Sequence, residues 1–202
     1  MTIMTHGPLN RGDLMSLEVY AERREDYREQ IIAHKKSRQV QLGSNMRLYF
    51  EDRLTMQYQI QEILRIEKIF EGDAIEEELE AYNPLIPDGS NWKVTLMIEY
   101  EDIAERKLAL ERLIGVERQV WIRIGDQEPV RPIANEDLIR ETEEKTSAVH
   151  FLRYELSGEM IRQARNGADI VIGVDHPEYS CVTDPLPENI ARSLAGDLLS
   201  TQ

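Results

Sequence analysis

The chain has 202 residues, 41% of them hydrophobic and 31% charged, which is ordinary for a folded globular protein and enough for one substantial core. Its net charge of −14 disfavours nonspecific attraction to nucleic acid or to an anionic membrane, since both need a positive field. Cys181 is the only cysteine, which excludes an internal disulfide and a four-cysteine metal or cluster site.

Apolar runs such as Ile170–Val174 are too short to cross a bilayer, and the start Met1–His6 lacks the basic and apolar regions of an export signal. A cytoplasmic location is therefore expected. Residues 1–12 read as a flexible tail, and residues 13–202 as a single domain. Asp13 can cap a short helix, and a charged helix is predicted over 18–37, ending in the basic cluster His34-Lys35-Lys36-Ser37-Arg38 where cations complement the helix dipole. Residues 39–42 and 46–51 flank Gly43-Ser44-Asn45 as a hairpin.

A helix follows over 52–70, with Met56, Ile60, Ile63, Glu67 and Phe70 on one stripe that Glu67 interrupts. Its other side, with Gln57, Tyr58, Gln59 and Gln61, is polar but uncharged and suits contact with another chain. An acidic helix over 73–82 leads into the turn-rich loop Asn83–Gly89. From Glu67 to Glu80 seven acids stand against Lys68 alone, which reads as a solvated face or a dock for a basic partner.

Residues 92–100 alternate cleanly as a strand, and Asp102 opens a helix that ends near Gly115. Residues 119–124 and 129–133 suggest a second hairpin, and Asn135-Glu136-Asp137 a short helix start. A strand over 147–156, a helix over 157–166, a buried strand over 169–175, an edge strand over 179–183 and a closing helix over 187–199 complete the chain. Because strands come singly or as hairpins and do not alternate strictly with helices, the fold class is α+β. One mixed, mostly antiparallel sheet packed by several helices is expected.

The chain lacks a phosphate loop, a dinucleotide fingerprint, a nucleophile elbow and a zinc-protease helix, so no cofactor is evident from motifs. The most informative histidine is His150, which shares a strand face with Ala148, Leu152, Tyr154 and Leu156. An imidazole so placed must be hydrogen-bonded, titrate abnormally or ligate something. With Glu62 and Glu67 it supplies the His and carboxylate set that suits iron, manganese or zinc. With Arg153 added, the same residues could serve acid-base catalysis on an anionic substrate. Against this, Glu62 and Glu67 are five apart, on different sides of a helix. The simpler reading makes His150 a satisfied core histidine and pairs Glu67 with an arginine. His176, in an Asp-His-Pro turn after a strand, is a further binding candidate.

Several strings in order resemble a known family: Ile32-Ala33-His34-Lys35-Lys36; Phe50–Thr55 with Tyr58–Glu62; Ala81–Gly89; and Glu144–Arg153. The chain is similar, from about residue 13 to 199, to the uncharacterised bacterial domain-of-unknown-function family number 3501. The resemblance implies no assigned catalytic residue. It does imply genes that neighbour those of a rubrerythrin-like protein and an iron-sulfur protein, hence an accessory part in a redox or peroxide-defence system. The matched strings contain His34, Glu62, Asn83, Asp88, His150 and Arg153, where a site is expected.

The leading functional expectation is a soluble cytoplasmic accessory protein that binds a partner of that redox system. A metal-dependent or acid-base enzyme with a His/Glu/Arg pocket is the first alternative. A structural homo-oligomer, paired through the glutamine-rich helix face, is the second.

Overall fold

Buried and half-buried side chains alternate along β2 (Met46–Glu51) and β3 (Asn91–Ile98), as period-two patterning requires when one sheet face meets a core. The computed structural model describes residues 7–136, 140, 142 and 144–199. Strands β1 (Gln39–Leu42), β2, β3, β6 (Val149–Glu155) and β5 (Ile133–Ala134) form one sheet in the order β1-β2-β3-β6-β5. A second sheet has the order β4-β7-β8, from β4 (Val120–Ile124), β7 (Ile170–His176) and β8 (Tyr179–Val182). Every strand pair between these elements is antiparallel.

The α+β class expected from the sequence holds, but the strands divide between two sheets. The split occurs where a hairpin over 119–133 was expected. Val130 exchanges two backbone hydrogen bonds with Ile122 of β4 (2.8 and 3.0 Å), and Ile133–Ala134 then leave to pair with β6 in the other sheet. Sequence alternation cannot distinguish these outcomes, because either partner satisfies the same short run.

The inner faces of both sheets share the main core. Leu48, Phe50, Trp92, Leu96 and Tyr154 meet Val120, Ile122, Ile172 and Val174, with Met160 and Leu194 contributed by α5 (Gly158–Arg165) and α6 (Glu188–Ala195). Phe50 and Trp92 stand edge to face at 5.9 Å, and burying each side chain contributes on the order of 2–3 kcal/mol. Trp92 Nε1 donates to the Leu194 carbonyl (2.9 Å), so its one polar atom is satisfied where α6 crosses the sheet. Gly173 lies opposite Trp121, and the indole occupies the space a Cβ would need.

A second cluster joins α2 (Arg53–Glu67) and α3 (Gly72–Tyr82) through Met56, Ile60, Leu64 and Leu79. Leu9 is buried in it, and Asn10 caps a helical turn over Arg11–Asp13, so the chain is packed from Leu9 onward where a loose tail through residue 12 was expected. Residues 1–6 lie outside the described residues.

Helix α2 opens with a reciprocal cap: Asp52 Oδ1 accepts from Thr55 N (2.8 Å) and Thr55 Oγ1 accepts from Asp52 N (2.9 Å). It ends at Glu67, because Lys68 takes a left-handed conformation (φ 56°), and Phe70 is exposed rather than on the buried stripe. The expected helix start at 135–137 is replaced at Asn135 by a left-handed residue (φ 53°), and residue 137 lies outside the described set. The remaining helices are α1 (Leu17–Lys35) and α4 (Ile103–Arg112). Among the described residues no helix is long and apolar enough to cross a membrane.

Candidate functional site

His150 faces inward from β6 and is fully buried. Its Nε2 lies 3.0 Å from the Ser147 carbonyl and 3.0 Å from Thr146 Oγ1. A carbonyl only accepts, so Nε2 carries a proton, and Nδ1 accepts from Asn135 Nδ2 (3.0 Å). The other end of that amide accepts from Phe151 N (3.3 Å), which fixes its orientation. The ring is thus a satisfied core group that grips the turn at Asn135.

The four residues proposed as a pocket do not converge. Arg153 leaves β6 on the face opposite His150. Glu62 is held by α1 and its own helix: it accepts from Arg24 Nε and Nη2 (2.7 and 2.8 Å) and Tyr20 Oη (2.6 Å), with Arg65 at 3.5 Å. The Arg24 hydrogen bond lowers its carboxyl to about 2, and burial beside Glu62 raises the Tyr20 phenol. Glu67 is exposed at the end of α2. Among the described residues no three His, Cys, Asp or Glu side chains are grouped to hold a metal ion.

The binding candidates have structural partners. Asn83 clasps Leu9 in both directions, accepting from its N (2.7 Å) and donating to its carbonyl (2.9 Å). Asp88 accepts from Ser90 N and Oγ (both 2.8 Å) and from Asn91 Nδ2 (2.9 Å). His176 Nε2 donates to the Ile114 carbonyl (3.1 Å) while Nδ1 accepts from Glu178 N (3.2 Å). The neutral face of α2 is likewise engaged within the chain. Gln61 is buried against Met15, accepting from its N (2.7 Å) and donating to its carbonyl (3.2 Å), and Gln57 donates to the Asp13 carbonyl.

Asn83 and Asp88 matter through what they hold. They pin both ends of the loop that carries Pro84 and Leu85 over the outer face of the five-stranded sheet. There a cavity of about 390 Å³ opens, walled by Pro84, Leu85 and Phe151, with Lys93, Arg153 and Glu136 at its polar side. The Arg140 guanidinium lies 4.5 Å from the Phe151 ring centroid.

Lys93 of β3 stands directly opposite Arg153 of β6 in the strand register, so two cations share one sheet face. Like charges so placed repel. Arg153 resolves its share by a fork onto Glu136 (2.6 and 2.7 Å) and a contact to Glu155. Those hydrogen bonds raise the guanidinium further and lower the Glu136 carboxyl. Lys93 has no such direct contact: among the described residues its ammonium makes no ion pair or hydrogen bond, and Glu136, Asp88 and Glu155 act on it only at longer range. Its other cross-strand neighbour, Glu51, accepts instead from Thr55 and Thr95 (2.7 and 2.8 Å). Half-burial, then the Arg153 charge, lowers the Lys93 pKa, and the more distant Glu136, Asp88 and Glu155 carboxylates offset only part of that shift.

Sequence reading singled out Arg153 and the loop at 83–88 but missed Lys93, Glu136 and Asn135. Lys93 looks like any outward strand residue, and its strand pairing with Arg153, 60 positions away, carries no local signature.

A separate buried ion network was also missed. Arg38, 2% exposed, forks onto Asp197 (2.5 and 3.2 Å), reaches Asp52 (3.2 Å) and donates to the Phe50 and Glu51 carbonyls, while His34 Nε2 meets Asp52 at 2.6 Å. This network ties the helix start at Asp52 to the segment after α6, with the buried Arg38 guanidinium paired to both Asp52 and Asp197.

Residues 8–198 match the model of the family described as "Protein of unknown function (DUF3501)". The chain belongs to this family. A crystal structure of a novel protein of unknown function from Burkholderia pseudomallei K96243 has the same fold, with a TM-score of 0.90 and 51% sequence identity over 95% of this chain and 100% of that one. No curated protein matches the chain.

Proposed function

We propose that this protein is an accessory binding protein of a cytoplasmic redox system, and that its ligand or partner places an anionic group in the cavity over Lys93. The observation that carries the binding part is the Lys93 ammonium, which has no direct ion-pair or hydrogen-bond partner among the described residues and is held opposite Arg153 at a half-buried cavity. A site that breaks a local pairing rule and leaves one charge without a direct contact is where a ligand can supply one. The redox association is supported by the gene neighbourhood that the family resemblance implies, with a rubrerythrin-like or iron-sulfur protein as the partner.

Thermal unfolding at fixed ionic strength, with a panel of inorganic and organic anions, tests the binding role. At least one anion should raise the Tm of the protein and leave that of Lys93→Met unchanged. If every anion acts equally on both proteins, the cavity is not a binding site.

A further inference from the structure

The cavity also limits what kind of anion it takes. Arg153 is engaged by Glu136 and Glu155, so the ammonium of Lys93 is the lining cation, among the described residues, without a direct carboxylate contact. Phosphate sites ordinarily gather several donors, from arginine forks or the backbone N–H groups of a helix start. Here the one arginine fork among the described lining residues is turned onto Glu136. The Glu136 carboxylate on the same wall opposes a second negative charge.

The rest of the lining is apolar and flat. Phe151 presents an aromatic ring, and Pro84 and Leu85 face it from a loop clamped at Asn83 and Asp88. A volume near 390 Å³ suits a small ring-bearing molecule. Resting on the binding role proposed above, we infer that the cavity takes a monocarboxylate with a planar apolar body, such as an aryl carboxylate. The carboxylate pairs with Lys93 Nζ, and the ring lies between Phe151 and the Pro84-Leu85 loop. Lys93 selects the charge, Phe151 selects the ring and Glu136 rejects dianions.

Isothermal titration of the full chain with benzoate, benzamide, acetate and inorganic phosphate separates the parts of this assignment. Benzoate should bind at least about tenfold more tightly than its neutral isostere benzamide and than acetate, and Lys93→Met should lose about tenfold or more of the benzoate affinity. Phe151→Leu should weaken benzoate and leave acetate unchanged. If phosphate or acetate binds as well as benzoate, the aryl carboxylate assignment is overturned while the anion-binding role stands. If benzamide equals benzoate, Lys93 does not select charge. If no anion binds, both the assignment and the role fall. Circular dichroism shows whether Lys93→Met is folded; if it is not, the same comparison with Lys93→Gln decides.

Discussion

Lys93 and Arg153 face each other across β3 and β6 as a like-charged pair, and among the described residues only Arg153 has direct ion-pair partners. The asymmetry comes from Asn135. Its left-handed backbone turns the chain after β5, directing Glu136 to Arg153 and leaving the Lys93 ammonium for the cavity.

Replacing Glu136 tests that division of roles. Glu136→Gln removes the carboxylate from Arg153 and from the cavity wall, so benzoate should bind several-fold more tightly and the dianion phthalate should bind where it did not before. Titration calorimetry on both proteins reads the change. Unaltered affinities would show that Glu136 has no part in selecting the ligand.

The inward side of β6 makes a different prediction. His150→Ala deletes a fully buried ring and orphans the Asn135 amide and the Ser147 carbonyl, at a cost of about 2–4 kcal/mol by chemical denaturation. Because the ring holds the turn that delivers Glu136, the variant should also show altered benzoate affinity despite lying on the opposite sheet face. A fall in stability with ligand affinity unchanged would confine His150 to packing.

These two residues show how far the sequence could be read. The alternation around His150 exposed its burial and the strand it sits on, because period two is a local property. That its partners are Asn135, Thr146 and Ser147, and not Glu62 or Glu67, depends on where the loop before β6 returns, which no local pattern encodes. The long helix was legible from its apolar spacing and its Asp52 cap. Its end was placed too late, because Lys68 adopts a left-handed turn that lysine seldom signals. The α+β class followed from strand and helix order alone. The division into two sheets did not, since the run 129–134 divides between them through backbone bonds at Val130 and Ile133–Ala134.

Acid should act through Glu62. Its carboxyl is lowered from 4.5 to about 2 by Arg24 and Tyr20, so the folded state holds it ionised more firmly than the unfolded chain does. Stability from this group is therefore complete above pH 4.5 and lost as pH falls toward 2. Glu62→Gln should be less stable at neutral pH, and its stability should fall less between pH 4.5 and 2, as followed by denaturant titration at each pH. Equal slopes for the two proteins would remove Glu62 as a source of acid sensitivity.

The most direct test of the central claim is the nuclear magnetic resonance signal of the Lys93 side chain, followed through its Cε and Hε shifts as benzoate is added. A lysine without a direct ion-pair partner of its own should shift in a saturable way as the ligand pairs with it, and should lose its proton on raising pH before the ordinary lysine value of 10.5 is reached. Bound benzoate should move that titration back upward. A Lys93 signal indifferent to benzoate, or one that titrates like an exposed lysine, would contradict the account.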